Sequence, residues 1–473
     1  MEFSSFPKNL AYNIKTLAGF SKTTVKLSPD KTGAIQMGDT FKVKLPSNTI
    51  VDLRTLTMYF RGVASANTGR VHFPRLSSSL IKTLGVYVNG TLIERVDNYN
   101  ILYNKLYDLD GGGVDQTTKR FLENADPSVN YEYVTTSESV AGGTPLANTL
   151  AATPSDNKKM MINNWIGWLS TCNCPCIDTN DLNNVEIEFS LDSERILWSA
   201  AAGVANADPA VAGASYQLQD VSFNISKIVF NDPLYYNLKA AKLLSSGLVI
   251  GYQTYITSRQ AGFTKGTSVN VLTTVNSTSL DQLICCLQPS NLPIAPLQLT
   301  QANNALSSKQ FNEVFALTGG GQATTTLANQ PFSTGDFYNQ SHYFRSNGTG
   351  LTASSVEINN VPLMPQPLQD SEVYNEALIA LGNLNQDMSS GVHAGCNSLE
   401  AFLKWYFTVI VSLENIQQGD FYKSGLDGRS SALNIAWKLS FNGTSAEVFT
   451  PYIFAKTTRL LVVNEGHSIT VVV

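Results

Sequence analysis

The chain has 473 residues, a formal net charge of −5, 43% hydrophobic residues and only 15% charged ones. That length and apolar content suit two large β-domains, and the charge balance excludes a strongly basic nucleic-acid binder. No apolar run is long enough to span a bilayer as a helix, and Lys8 and Lys15 interrupt the opening MEFSSFPKNLAYNIKTLAGF where a secretory core must stay apolar.

Five lysines, Lys8, Lys15, Lys22, Lys26 and Lys31, face only Glu2 and Asp30 over the first 31 residues. This reads as a solvated arm or as one that meets an anionic surface or a neighbouring subunit. FKVKL (41–45) sets Phe41, Val43 and Leu45 on one face and two lysines on the other, the period of a half-buried strand. In GVYVNGTLIERVDNYNILYNKLYDLDGGG (85–113) an alternating strand is followed by a tight turn and a helix. Asp97 or Asn98 can cap that helix. Leu102, Leu106 and Leu109 form one face of it, and Tyr99, Tyr103 and Tyr107 an adjacent stripe. Tyrosines so spaced pack on a neighbouring sheet, while stacking on a sugar or base would need an open groove.

Bland loops follow at 138–159 and 200–216, separated by VEIEFSLD (185–192), which alternates cleanly, and followed by the strand VSFNISKIVF (221–230). DPLYYNLKAAKLLSSG (232–247) reads as a helix, with Asp232 as N-cap, Pro233 at the first helical position and Gly247 as the stop. A fresh strand series opens with LVIGYQTYITS (248–258), and another long loop spans 318–335. Then SSVEINNVPLMPQPLQDSEVYNEALIALGNL, from Ser354, repeats the earlier plan. Its turn lies at Asn359-Asn360, and its helix is capped by Asp370 or Ser371 and stacks Val373, Ala377 and Leu381. WYFTVIVSL (405–413) and LNIAWKLSF (433–441) read as alternating strands. RLLVVNEGHSITVVV (459–473) reads as two strands joined by a turn at Asn464-Glu465-Gly466.

The order strand, turn, helix, long loop and paired terminal strands thus occurs twice. Val88-Asn89-Gly90 matches Ile358-Asn359-Asn360, and Tyr99-Asn100 matches Tyr374-Asn375. The expected organisation is an N-terminal arm over 1–30, a first β-domain over 31–231, a linker helix over 232–247 and a second β-domain over 248–473.

Catalytic signatures are missing from the sequence. Gly111–Gly113 and Gly319–Gly321 lack the frame of a phosphate-binding loop. Cys172, Cys174 and Cys176 alternate, Cys285 and Cys286 adjoin, and Cys396 stands alone, without the paired spacing of a zinc site. They read as free thiols in a reducing compartment. His72, His342, His393 and His467 are scattered singly. No catalytic, cofactor-binding or metal-binding residue is expected, and the Asn-x-Ser/Thr triplets read as chance.

Three stretches carry a resemblance: FKVKLPSNTIVDLRTLTMYFRG (41–62), SSLIKTLGVYVNGTLIERVDNYNILYNKLYDL (77–109) and DPLYYNLKAAKLL (232–244). With them the chain resembles the double jelly-roll major capsid proteins, most closely those of polinton-like viruses and virophages. The resemblance implies an all-β fold of two tandem eight-stranded jelly-roll barrels, with a few short helices and long loops at one end. It implies a non-enzymatic protein of the virion, made inside the host cell and not secreted. Homotrimers would form pseudo-hexagonal capsomers of an icosahedral double-stranded DNA virus shell. Partners would be further copies of the chain and penton and minor capsid proteins, with the lysine-bearing arm facing the interior and no specific nucleic acid or small-molecule ligand. The residues alone also allow a carbohydrate-binding β-sandwich protein, an adhesin or lectin, or a glycoside-cleaving one with two convergent carboxylates.

Overall fold

The computed structural model describes residues 20–110, 156–202, 213–230, 247–289, 298–301, 342–381, 406–414, 425–428, 432–442 and 448–472. Excepted within these are 66–69, 75, 174, 175, 267, 345, 465 and 467; single helical positions are also described between 237 and 244 and at 399, 402 and 403.

The first half contains β1 (Phe20–Leu27), β2 (Thr40–Lys44), β3 (Ile50–Ser65), β4 (Ile81–Val88), β5 (Thr91–Asp97), β6 (Asp156–Ile162), β7 (Val185–Leu191) and β8 (Ser215–Phe230). The second contains β9 (Leu248–Arg259), β10 (Val269–Val275), β11 (Leu280–Pro289), β12 (Leu351–Ile358), β13 (Val361–Pro362), β14 (Thr408–Ser412), β15 (Leu433–Phe441) and β16 (Val448–Val463). One sheet of the first half runs β1-β8-β3-β6 and the other β2-β7-β4-β5. Those of the second run β9-β16-β11-β14 and β10-β15-β12-β13. Adding eight to every label of the first half gives the second. Each half is a jelly roll, and the chain is two of them in tandem.

Alternation drives the closure. β7 is buried at every second residue, as is β15, so each strand has one apolar face to hide. In the first barrel the sheets meet through aromatic rings. Phe189 on β7 stacks on Phe223 of β8 with centroids 5.4 Å apart, and Phe41 of β2 lies 5.4 Å from Phe189. The second barrel buries Trp437 of β15 completely.

The matching hairpins hold to the level of dihedral angles. Val88 pairs with Thr91 and Ile358 with Val361, leaving two-residue turns. Asn89 and Gly90 have φ of 48° and 78°, Asn359 and Asn360 of 51° and 65°. Turns with two positive φ values match the strand twist, which is why Asn and Gly occupy them. In both barrels the first turn residue donates its N–H to the neighbouring strand's N-terminal end, Asn89 to Asn184 O just before β7 and Asn359 to Asn434 O at the start of β15.

A helix follows each hairpin: α1 (Tyr99–Asp110) and α2 (Asp370–Ala380). The two Tyr-Asn pairs do not correspond, because Tyr99 opens α1 whereas Tyr374 lies within α2. The cap of α2 is Gln369, not Asp370 or Ser371. Its backbone N–H donates to Glu372 Oε2 at 2.8 Å, completing a capping box. Val373 and Ala377 face the core as expected.

Other expectations shift. Residues 20–27 are sheet, paired along their length with β8, because Val25 and Leu27 alternate with lysines in strand fashion. Residues 156–159, read as loop, begin β6. The loop at 200–216 is strand at both ends: Trp198–Ala202 pairs antiparallel with Arg70–His72 and parallel with Gln298–Gln301, and β8 begins at Ser215. Two connections of the first barrel and one of the second thus meet in a shared sheet. Residues 318–335 lie outside the described residues. β14 does not alternate; it is buried on both faces over Thr408–Val411 because α2 covers its outer side. Between the barrels, Asn237, Lys239–Ala241, Leu243 and Leu244 are helical, and Gly247 takes φ 70°. Asp232 and Pro233 lie outside the described residues. Lys239 ties this linker to the first barrel through Asp178 at 2.5 Å and Asp181 at 3.1 Å. Burial opposes its charge, yet the two carboxylates hold its pKa above the ordinary lysine value.

The hairpins make a paired prediction. Gly90→Ala places a side chain at φ 78° and is expected to cost about 1 kcal/mol, whereas Asn360→Gly stabilises the equivalent turn. Denaturant midpoints of the two variants check the opposite signs.

Candidate assembly interface

Both barrels have sheet edges, and the chain covers some of them itself. β9 lies at the edge of its sheet, and its outer backbone is satisfied by the first barrel. Asn173 donates its N–H to Gly251 O at 2.9 Å and accepts the Gly251 N–H on Oδ1 at 3.1 Å. Two residues on, the Thr171 hydroxyl accepts the Gln253 N–H and lies within hydrogen-bond reach of Gln253 O, both at 2.9 Å. β9 also meets β5, the edge of the first barrel's other sheet. Tyr252 Oη donates to Ile93 O at 2.8 Å and Thr257 Oγ1 to Asp97 O at 2.7 Å. Tyr252, Thr254 and Tyr255 are consequently buried. On α1, Lys105 is buried and donates to Phe344 O of the second barrel at 2.5 Å. The barrels are joined by many directed contacts across one seam.

Glu94 sits inside this seam, 1% exposed. The Trp168 N–H donates to its Oε2 at 2.8 Å, while Oε1 has no hydrogen-bond partner among the described residues. Burial pushes its pKa up to about 7, against the opposing pull of Thr254, the Trp168 N–H and Arg459. Gly167, at φ 80°, makes the close approach possible: a Cβ there would stand 2.2 Å from Oε1. Neither residue stood out in the sequence. Ile93 and Glu94 are adjacent yet both buried, because a register shift between Val86 and Tyr87 breaks the alternation of the β4–β5 pair.

The residues singled out from sequence are placed as follows. Lys22 and Lys26 stand on β1 and are exposed; Lys22 approaches Asp52 at 3.6 Å, and Lys31 pairs with Asp39 at 2.5 Å. Lys8 and Lys15 lie outside the described residues, as do Gly111–Gly113, Gly319–Gly321, Cys174, Cys396, His393 and His467. Cys172, Cys176, Cys285 and Cys286 form no disulfide among the described residues; burial pushes Cys286 up to about 11. Tyr99, Tyr103 and Tyr107 are buried and stacked, with centroids 5.9 and 6.2 Å apart, so the stripe is packing and not an exposed platform. Among the described residues no group of three or more His, Cys, Asp or Glu side chains could hold a metal ion.

No protein-family model and no curated protein sequence matches the chain. Solved structures are. VP54 of PBCV-1, as fitted into a reconstruction of the virophage Sputnik, is 10% identical over 97% of this chain and 98% of its own, with a TM-score of 0.57. The Faustovirus major capsid protein is 9% identical over 98% of this chain and 92% of its own, with a TM-score of 0.55. A chain of the Sputnik virophage particle is 12% identical over 96% of this chain and 89% of its own, at 0.51. The double jelly roll is common to all of them, from end to end.

The buried carboxyl sets a pH dependence. Its folded pKa of about 7 exceeds the ordinary 4.5, so the native state holds the proton more tightly than the unfolded chain. Its contribution to stability is complete below pH 4.5 and is lost as pH rises to about 7, a change of about 3 kcal/mol. Glu94→Gln is expected to remove that slope, read as the difference between variant and wild-type unfolding at pH 5 and pH 8.

Proposed function

We propose that this chain is a structural, non-enzymatic major capsid protein, three copies of which form a pseudo-hexagonal capsomer of an icosahedral double-stranded DNA virus shell. The observation that carries the reading is the repetition of one eight-strand order side by side in a single chain, the same architecture found end to end in the Faustovirus major capsid protein. Two barrels per chain and three chains per ring give six similar blocks, and closed cyclic symmetry fixes the size of such a tile.

A tile touched on every side needs a surface that neighbours can cover. A chain with 15% charged residues fits that better than a freely diffusing monomer would. In this reading the protein resides in the virion. The tile packs against copies of itself and against penton and minor capsid proteins, with the residues before β1, Lys8 and Lys15 among them, turned inward. The joined connections at Trp198–Ala202, Arg70–His72 and Gln298–Gln301 mark one end of the block, and we assign that end to the outside.

Native mass measurement of the full chain is the direct test, with negative-stain images alongside. The expected result is a species of three chains that images as a threefold tile. A stable monomer that yields no particles on co-expression with penton and minor capsid partners would overturn the reading.

A further inference from the structure

The two barrels share one seam within the chain, and each barrel also carries the half of that seam which the chain leaves open. The covered halves are β5 of the first barrel and β9 of the second. The open halves are their counterparts, β13 with the residues after it and β1. Sheet order and turn position make the correspondence specific. β1 pairs along the last part of β8 and β9 along the last part of β16, so both hold the same edge place in matching sheets. Ile93 and Leu363 are each the third residue after a two-residue turn.

Exposure separates the two edges. Gly251, Tyr252, Thr254 and Tyr255 on β9 are buried against the first barrel, while Thr23, Thr24 and Lys26 on β1 are exposed and Leu27 is half-buried. Ile93 and Glu94 on β5 are buried, while Val361 is 65% and Leu363 37% exposed in the segment that takes its place. That segment, VPLMPQPL (361–368), stays in the position of an edge strand. Leu363 donates its N–H to Val356 O, and Leu368 bridges to Ser354. Its Pro362, Pro365 and Pro367 have no N–H to offer an incoming strand. It can therefore be covered as β5 is, by side chains laid against it and not by an extended ladder. β1, in turn, pairs only with β8 among the described residues.

We infer that residues 361–369 of one copy seat against the outer edge of β1 of the next, repeating between chains the seam that β5 and β9 make within one. The partner is a second copy of this chain because the two open surfaces are the duplicated halves of a contact already made. The contact is head-to-tail, and such contacts close into a ring when the rotation permits. Charge agrees: β1 presents Lys22 and Lys26, and the α2 start beyond residue 368 presents Asp370 and Glu372. This inference rests on the capsomer reading and adds which surfaces make the ring.

The test uses the full chain carrying Thr24→Cys and Leu363→Cys together, in a Cys176→Ser background, treated with a short bis-maleimide. Chains carrying only one of the two introduced cysteines provide the background level set by the remaining native thiols. Covalent dimers and trimers specific to the double variant are expected, together with a trimer dissociation concentration raised about tenfold or more by Leu363→Glu. Leu363 is exposed in the single chain, so the melting of a Leu363→Glu monomer should match that of the wild-type monomer. Threefold particles with no link between positions 24 and 363, and no weakening by Leu363→Glu, would overturn this seam and leave the capsomer reading standing. A wild-type chain that stays monomeric would overturn both.

Discussion

Every open β-sheet ends in a strand with one row of N–H and C=O groups unpaired, and what covers those rows decides most of this structure. A jelly roll hides the apolar faces of two sheets against each other but leaves four edges. In the second barrel the β9 edge is completed by Thr171 and Asn173, brought over from the first barrel. Tyr252 and Thr257 then hold β5 beside it by bonding two of its carbonyls. The tandem arrangement is thus more than two domains on a string. One barrel supplies the edge pairing the other lacks, and this is why a buried lysine, a buried glutamate and a positive-φ glycine all lie near the seam.

Much of the barrel interior was legible because alternation follows from burial on one side. β7 and β15 obey it residue by residue. The Asn-Gly and Asn-Asn turns were legible for a different reason: two consecutive positive φ values admit few residue types. Where the reading slipped, a tertiary partner had overridden the local pattern. β14 looked alternating but is covered on its second face by α2. The start of β6 carries Asn and two lysines, which sequence alone reads as loop, yet it pairs along β3. The α2 cap fell to Gln369, a residue without strong capping preference, because Glu372 closes the reciprocal half of the box.

The seam itself was hidden from the sequence. Glu94 follows Ile93 directly, and any period-two reading sends one of them to solvent. Only the shifted register of the β4–β5 pair buries both. Nor does anything local to Gly251 or Gln253 announce that their backbone is bound from residues some eighty positions earlier. Contacts of that kind depend on which edges happen to meet. Composition bears only on their sum, through a low charge content that suits covered surfaces.

Divergence between the two copies then carries information that identity cannot. Where both barrels face the same environment, as at the hairpin turns and in the donation of Asn89 and Asn359 to equivalent carbonyls, they keep the same solution. Where their environments differ, the residues differ in kind. β9 carries the buried Tyr252 and Tyr255 whereas β1 carries the exposed Thr23, Thr24 and Lys26, and β5 has Ile-Glu-Arg-Val where the second barrel has Leu-Met-Pro-Gln. A contact fixed permanently within one chain can bury large aromatics and even a carboxyl. A surface that must stay dispersed until it finds a second copy is better built from threonine, lysine and proline, which resist indiscriminate strand addition. In the proposed ring the asymmetry between the barrels is not drift around a common plan but the difference between an edge covered during folding and an edge left for a second copy.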